Sequence, residues 1–229
     1  MLKRLKEEVC TANLELLKLG LVTLTWGNVS AISRPDGLIV IKPSGVSYDA
    51  LRTDDMVVVD LNGKIVEGNR KPSSDTPTHL KLYNAFPMIG GITHTHSTYA
   101  SMFAQACKEI PCLGTTHADH FNGAIPVTRF LTEEEVKTEY EANTGTVIIE
   151  RFTQLDILTL PAVLVAGHAP FTWGKDASDS VKNSLALERV AQMALGTLQL
   201  NLNIGELPQY IREKHFERKH GPKAYYGQK

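Results

Sequence analysis

Two imidazoles stand two residues apart in Gly91-Ile92-Thr93-His94-Thr95-His96-Ser97, at the end of an apolar run that reads as a strand. Side chains at i and i+2 share one strand face, so both rings can reach a single cation. Such a pair is, by itself, also ordinary polar surface. Two further features weigh towards ligands. Ala162-Val163-Leu164-Val165-Ala166-Gly167-His168 offers a third imidazole at the end of another strand, and Lys71-Pro72-Ser73-Ser74-Asp75 offers a carboxylate just before a helix. His94, His96, His168 and Asp75 together make a donor set suited to a hard or borderline divalent ion.

Three turns look built for an anion. Ile41-Lys42-Pro43-Ser44-Gly45 ends a strand with a cation, a hydroxyl and a glycine that lets backbone N–H groups approach a phosphate. Lys71-Pro72-Ser73-Ser74-Asp75-Thr76-Pro77 adds two hydroxyls at a helix start, where the dipole and free N–H groups favour negative charge. Trp26-Gly27-Asn28 is a third polar turn, with an amide able to donate to the same anion. None is a Walker sequence, and each alone also reads as an ordinary turn.

The elements that must position these residues alternate along the chain without repeats or a linker. Residues 2–19 place Leu2, Leu5, Val9, Ala12, Leu16 and Leu19 at helical spacing, with Gly20 as C-cap. Strand-like runs follow at 28–32, 38–42 and 56–61, and Asn62-Gly63 turns the last into Lys64-Ile65-Val66, a strong hairpin signal that makes part of the sheet antiparallel. Pro77 leads into a helix over 78–86, and 98–107 reads as the helix after the histidine strand. Thr132 with Glu135 is a capping box for the next helix. The runs 147–149 and 163–165 read as strands, a long helix spans 177–200, and Pro208 starts a charged terminal helix. This order is α/β with antiparallel pairs, unlike a doubly wound nucleotide fold.

A chain of 229 residues suits one domain over 1–229 with one sizeable core. The net charge of −1, with both signs mixed throughout, gives no footprint for nucleic acid or an anionic membrane, so the expected partner is small. The charged N-terminus and the lack of a ~20-residue apolar run point to a soluble protein. Cys10, Cys107 and Cys112 are odd in number and show no zinc-ribbon spacing, which suits the reducing cytoplasm.

Taken in order, 24–30, 41–46, 71–79, 94–97, 114–119, His168 and the tail 219–228 resemble the class II aldolase and epimerase family over essentially the whole chain. The resemblance implies a three-layer α/β/α sandwich around a central, largely antiparallel sheet. It also implies a homotetramer with active sites between subunits and one divalent metal ion per subunit, zinc first. His94, His96 and His168 would bind that ion, with Asp75 at or beside the coordination sphere. Gly27, Asn28, Lys42, Ser44, Gly45, Ser73 and Ser74 would form the phosphate site of a sugar-phosphate substrate. Asp119 and Tyr226 would be the catalytic acid and base, helped by His215, while His79, His117, His120 and His220 are left as structural.

The implied activity is that of an isomerase, inverting C4 of L-ribulose 5-phosphate to give D-xylulose 5-phosphate in arabinose or ascorbate-type catabolism. C4 lies β to the C2 carbonyl, so its hydrogen is not acidic and simple deprotonation cannot invert it. Retro-aldol cleavage of the C3–C4 bond, rotation of the aldehyde and re-addition can. The family's aldolases carry a Glu where this chain has Asp75, one methylene shorter, which favours the epimerase branch over a class II sugar-phosphate aldolase. A His-His-carboxylate oxygenase lacks its Glu in Ser97-Thr98-Tyr99-Ala100, and a non-catalytic scaffold would not need all three histidines.

Overall fold

The computed structural model describes residues 2–222 and 224–226. Helix α1 (Leu2–Lys18) precedes strands β1 (Asn28–Ser33), β2 (Leu38–Ile41), β3 (Val57–Asp60) and β4 (Ile65–Glu67). Helix α2 (Thr76–Ala85), β5 (Gly91–His94), α3 (Thr98–Gln105) and the short α4 (Thr115–Ala118) follow. The chain then forms α5 (Glu133–Arg151), a hairpin of β6 (Ala162–Leu164) and β7 (Pro170–Gly174), α6 (Ala177–Leu200) and α7 (Gln209–His220).

The strands make one sheet in the order β4-β3-β2-β1-β5-β7-β6, and every neighbouring pair is antiparallel. Alternation along the strands sorts the core onto two faces. On one face Ile39, Ile41, Val57, Val59 and Phe171 pack with Leu82 of α2, Phe103 of α3 and Ile148 of α5. On the other, Val29, Ala31, Val40 and Val58 pack with Val9 and Leu16 of α1 and Val181 of α6. The two clusters are the two interfaces of an α/β/α sandwich. Asn13 ties α1 to the sheet: its amide donates to Val9 O (2.8 Å) and Val29 O (3.1 Å), and its Oδ1 accepts from Val29 N (2.9 Å). This sets the start of β1, next to Asn28.

The hairpin at Asn62-Gly63 forms as its sequence requires. Gly63 takes φ +84, and Asp60 Oδ1 accepts from Asn62 N and Lys64 N at 2.9 Å each. The Thr132–Glu135 capping box is complete in both directions. One expectation is overturned: 147–149 is not a strand but the buried last part of α5. A three-residue apolar run carries no usable period, and the capping box upstream starts a helix that continues through it. The strand β7 goes unread because it opens on Pro170, which a strand accommodates only at its first residue or on an edge. Among the described residues no helix is long and apolar enough to cross a membrane.

Candidate metal centre

Strand β5 sits between β1 and β7, with His94 paired to Asn28 on one side and Phe171 on the other. The strand ends at His94, and His96 lies two residues beyond it. His168 stands in the tight turn of the β6–β7 hairpin, where Val165 N donates to Ala169 O (3.0 Å) and His168 N to Val165 O (3.0 Å). The three rings nevertheless meet, with centroids 4.9 Å apart for His94–His96 and His94–His168 and 5.0 Å for His96–His168.

His94 Nδ1 donates to the Pro170 carbonyl at 2.9 Å, which leaves its Nε2 lone pair bare in the neutral ring. That Nε2 faces His96 Nε2 at 3.2 Å. Two nitrogens each ~2.0–2.1 Å from a tetrahedral zinc would stand roughly 3.3 Å apart, so the pair has the separation of two zinc ligands. One ligand nitrogen from each histidine falls within 4.8 Å of the others, and His168 Nδ1 is buried with no hydrogen-bond partner in the chain. Burial first, then the neighbouring imidazoles, pushes His96 and His168 down to about 4, so both rings are neutral donors at neutral pH. The residues present fit a divalent ion.

Asp75 stands outside this trio of nitrogens. It takes the N-cap position of α2 but caps nothing; its Oδ2 accepts instead from Asn28 Nδ2 at 2.6 Å. Burial opposes its ionisation, but His94, His79 and the Asn28 amide outweigh that and hold the carboxyl below its ordinary value. Asn28 Nδ2 also reaches Ser73 Oγ at 3.1 Å. One side chain therefore joins the histidine strand, the carboxylate and the serine loop. His79 lies beneath, its Nδ1 hydrogen-bonded to Ser30 Oγ (2.7 Å), which also meets Tyr83 OH (2.8 Å).

The three anion turns converge here. Ser44 N donates to Lys71 O and Ser73 N to Lys42 O, both at 3.0 Å, which zips the 41–45 and 71–77 turns together. Lys42 is only 2% exposed, with Nζ 4.9 Å from the centre of the Tyr48 ring, and burial pushes its ammonium down to about 8. No carboxylate pairs with it among the described residues. Tyr48 OH donates to the carbonyls of Trp26 and Gly27 at 3.0 Å each, locking the 26–28 turn to the Lys42 loop. Ser44, Gly45 and Ser74 are exposed and Ser73 is buried.

Gly27 adopts φ +77, and a Cβ there would lie 2.8 Å from the His94 carbonyl oxygen. Gly27→Ala is therefore expected to cost about 1–3 kcal/mol in stability and to lower metal occupancy with it. Thermal unfolding and metal analysis check this; wild-type values of both would show that the close approach does not hold the His94 strand in place.

Asp119, His215 and Tyr226 form a second cluster. Arg218 of α7 grips Asp119 with two hydrogen bonds, Nε to Oδ1 at 2.9 Å and Nη2 to Oδ2 at 2.6 Å, and His215 Nδ1 meets Oδ1 at 3.1 Å. Burial works against ionisation, yet Arg218 and His215 hold the Asp119 carboxyl below its ordinary value. The Arg218 guanidinium also lies 4.8 Å from the centre of the Tyr226 ring, which is 59% exposed, and Arg218 O accepts from Tyr226 N at 3.1 Å. Within the chain, no hydrogen bond or ring contact among the described residues links this cluster to the three histidines. The sequence marks Arg218 only by its spacing of three from His215 on one helix face. Of the tail that carries the family resemblance, Lys223 and 227–229 lie outside the described residues.

An antiparallel sheet covered by helices on both faces, with three clustered histidines beside three converging polar turns, is the architecture of a class II aldolase-type protein. A family model described as the class II aldolase and adducin N-terminal domain matches residues 7–195, and the chain belongs to that family. The chain is 56% identical over 228 residues, covering 100% of both sequences, to the L-ribulose-5-phosphate 4-epimerase UlaF of Salmonella paratyphi A, and equally so to that of Salmonella typhi. Among solved structures it is similar to L-fuculose 1-phosphate aldolase, with a TM-score of 0.80 at 26% identity over 94% of this chain and 95% of the other.

Proposed function

We propose that the protein converts L-ribulose 5-phosphate into D-xylulose 5-phosphate by breaking and remaking the C3–C4 bond. The observation that carries this reading is a three-histidine cluster tied through Asn28 and Ser73 to the loop of a buried lysine that no carboxylate pairs with among the described residues, in a chain whose full-length relatives bear the epimerase name. His94, His96 and His168 would hold one divalent ion, zinc by the nature of its donors, with Asp75 beside it. When bound, that ion supplies Lewis-acid stabilisation of charge developing on the ketose oxygens.

The chain's own groups do the rest. Lys42 and the Ser44, Ser73 and Ser74 hydroxyls, with Gly27, Asn28 and Gly45 shaping the turns, bind the phosphate. One of Asp119 and Tyr226 takes the C4 hydroxyl proton as the C3–C4 bond breaks, its electron pair staying on the ketose fragment while C4 becomes an aldehyde. The aldehyde phosphate rotates, the bond re-forms on its other face, and the second group returns a proton to the new C4 oxygen. His215 orients Asp119.

The lack of any hydrogen bond or ring contact between the two clusters among the described residues supports an active site built between subunits, which we read as those of a homotetramer from the family resemblance. Leu200, Leu202 and Tyr210, which are 91%, 83% and 73% exposed, are apolar surface of the kind a neighbour covers. The cysteines are all free, which suits a reducing cytoplasm. The test is incubation of metal-loaded protein with L-ribulose 5-phosphate and identification of the product at C4. Cleavage to free fragments without D-xylulose 5-phosphate would instead assign a class II aldolase.

Lys42 gives this reading a pH signature. The free protein holds it at about 8, and a phosphate dianion binds the protonated form. KM is expected to be flat below pH 8 and to climb above it, by up to roughly tenfold per pH unit. Lys42→Arg keeps its charge throughout and should flatten the profile. Folding has the opposite sign: the depressed value makes the free protein more stable as pH rises from about 8 towards the ordinary 10.5. A KM that ignores pH across this window would remove Lys42 from the phosphate site.

A further inference from the structure

Helix α5 breaks at Glu139, whose φ of −139 and ψ of 71 are not helical. A break frees the carbonyls that the ladder would have satisfied. Glu135 O, one turn before the break, accepts from the side-chain amide of Asn143 at 3.0 Å. Past the break, Tyr140 O accepts from Thr144 Oγ1 (2.9 Å) and Glu141 O from Thr78 Oγ1 (2.6 Å). Thr78 lies in the first turn of α2, three residues after Asp75. Gly145 then presses α5 onto α2 so closely that a Cβ there would meet Lys81 Cβ at 2.6 Å. The kink is thus propped by specific side chains and anchored to the helix that carries Asp75.

Its consequence is the placement of Tyr140. The ring centroid lies 6.3 Å from that of His168, tilted by 49°, and the residue is 37% exposed. Among the described residues the Tyr140 hydroxyl makes no hydrogen bond, so its donor is free. On the other flank of the histidines Trp26, 52% exposed, stands 6.0 Å from His96. A half-exposed phenol with no partner, held beside a metal centre by a deliberate break in its helix, is placed to meet what binds there.

We propose that Tyr140 is a substrate-binding residue of this site, its phenol hydrogen-bonding a hydroxyl of the ketose phosphate, and that Asn143 is the residue that positions it. This rests on the reading of the site as one for sugar phosphates. It adds a contact to the sugar, distinct from those to the metal and the phosphate.

The experiment measures binding by calorimetry in the metal-loaded full chain, for inorganic phosphate, L-ribulose 5-phosphate and L-fuculose 1-phosphate. The readout is the ratio of sugar-phosphate to phosphate affinity, with metal content as a control. Tyr140→Phe is expected to lower that ratio roughly tenfold or more, the scale of a site hydroxyl lost against a substrate polar group, while metal content and phosphate affinity stay at wild-type values. Asn143→Ala should produce the same selective loss at smaller size. An unchanged ratio in Tyr140→Phe, or a loss that tracks metal content, overturns the assignment; an unchanged ratio in Asn143→Ala overturns the positioning role. If the wild type favours L-fuculose 1-phosphate and Tyr140→Phe still loses that preference, the epimerase reading fails while the Tyr140 assignment stands. If the wild type binds neither sugar phosphate better than phosphate, both fall.

Discussion

Chelation of the purified protein is expected to abolish turnover, and addition of zinc to restore it. The expectation rests on geometry. His94 Nε2 and His96 Nε2 face each other at 3.2 Å with His94 locked by Pro170 O, and a third imidazole nitrogen lies buried without a partner. Three imidazole donors gathered at one place leave open the positions that a catalytic ion needs for substrate oxygens. His96→Asn removes one donor and leaves His94 and His168 in place. Metal affinity should fall by more than roughly 10²-fold, beyond the loss seen when only an outer-shell partner is removed. Turnover should then recover only at high added metal. Full activity in protein shown by elemental analysis to be metal-free, or unchanged metal content in His96→Asn, would move the centre elsewhere.

The histidines that cluster in the fold are legible because each carries a local signal. Two histidines at i and i+2 meet whether or not the strand continues through both, and here it stops at His94. His168 follows an apolar run in the sequence, although the fold puts it in a hairpin turn. What the sequence could not show depends on register. Asn28 reads as one more donor for an anion, yet its pairing with His94 across β1 and β5 makes it the strut between Asp75, Ser73 and the histidines. Strand β7 was hidden by Pro170 at its start, and with it the carbonyl that sets the His94 tautomer. The run 147–149 misled for the converse reason, since three apolar residues fit a strand face and a helix stripe equally. Long-range ion pairs leave no mark at all: Asp119 and Arg218 are 99 residues apart.

Asp119→Asn and Tyr226→Phe are each expected to lower kcat by roughly 10²-fold or more, the scale of a lost acid or base, with metal content unchanged. Inversion sends the C4 oxygen to opposite sides of the aldehyde plane, so two proton-transfer groups are needed and neither replaces the other. Arg218 and His215 hold the Asp119 carboxyl ionised, and the Tyr226 ring lies against the same Arg218. Because Asp119 also anchors α7, unfolding must be measured beside kcat; an equal loss in Asp119→Asn that follows a collapsed melting temperature would be structural, whereas Tyr226→Phe removes no side-chain hydrogen bond formed among the described residues. The two clusters give a sharper test. Asp119, His215 and Tyr226 gather on one chain while the histidines gather apart from them, so a complete site at an interface would take the histidines from one subunit and the acid–base pair from its neighbour. Exchanging subunits between His96→Asn and Tyr226→Phe proteins should then regenerate wild-type sites and activity. Exchanging Asp119→Asn with Tyr226→Phe should not, because both defects fall on the same half. Recovery in the second mixture would split the pair between subunits, and recovery in neither, with exchange shown independently, would place the whole site within one chain.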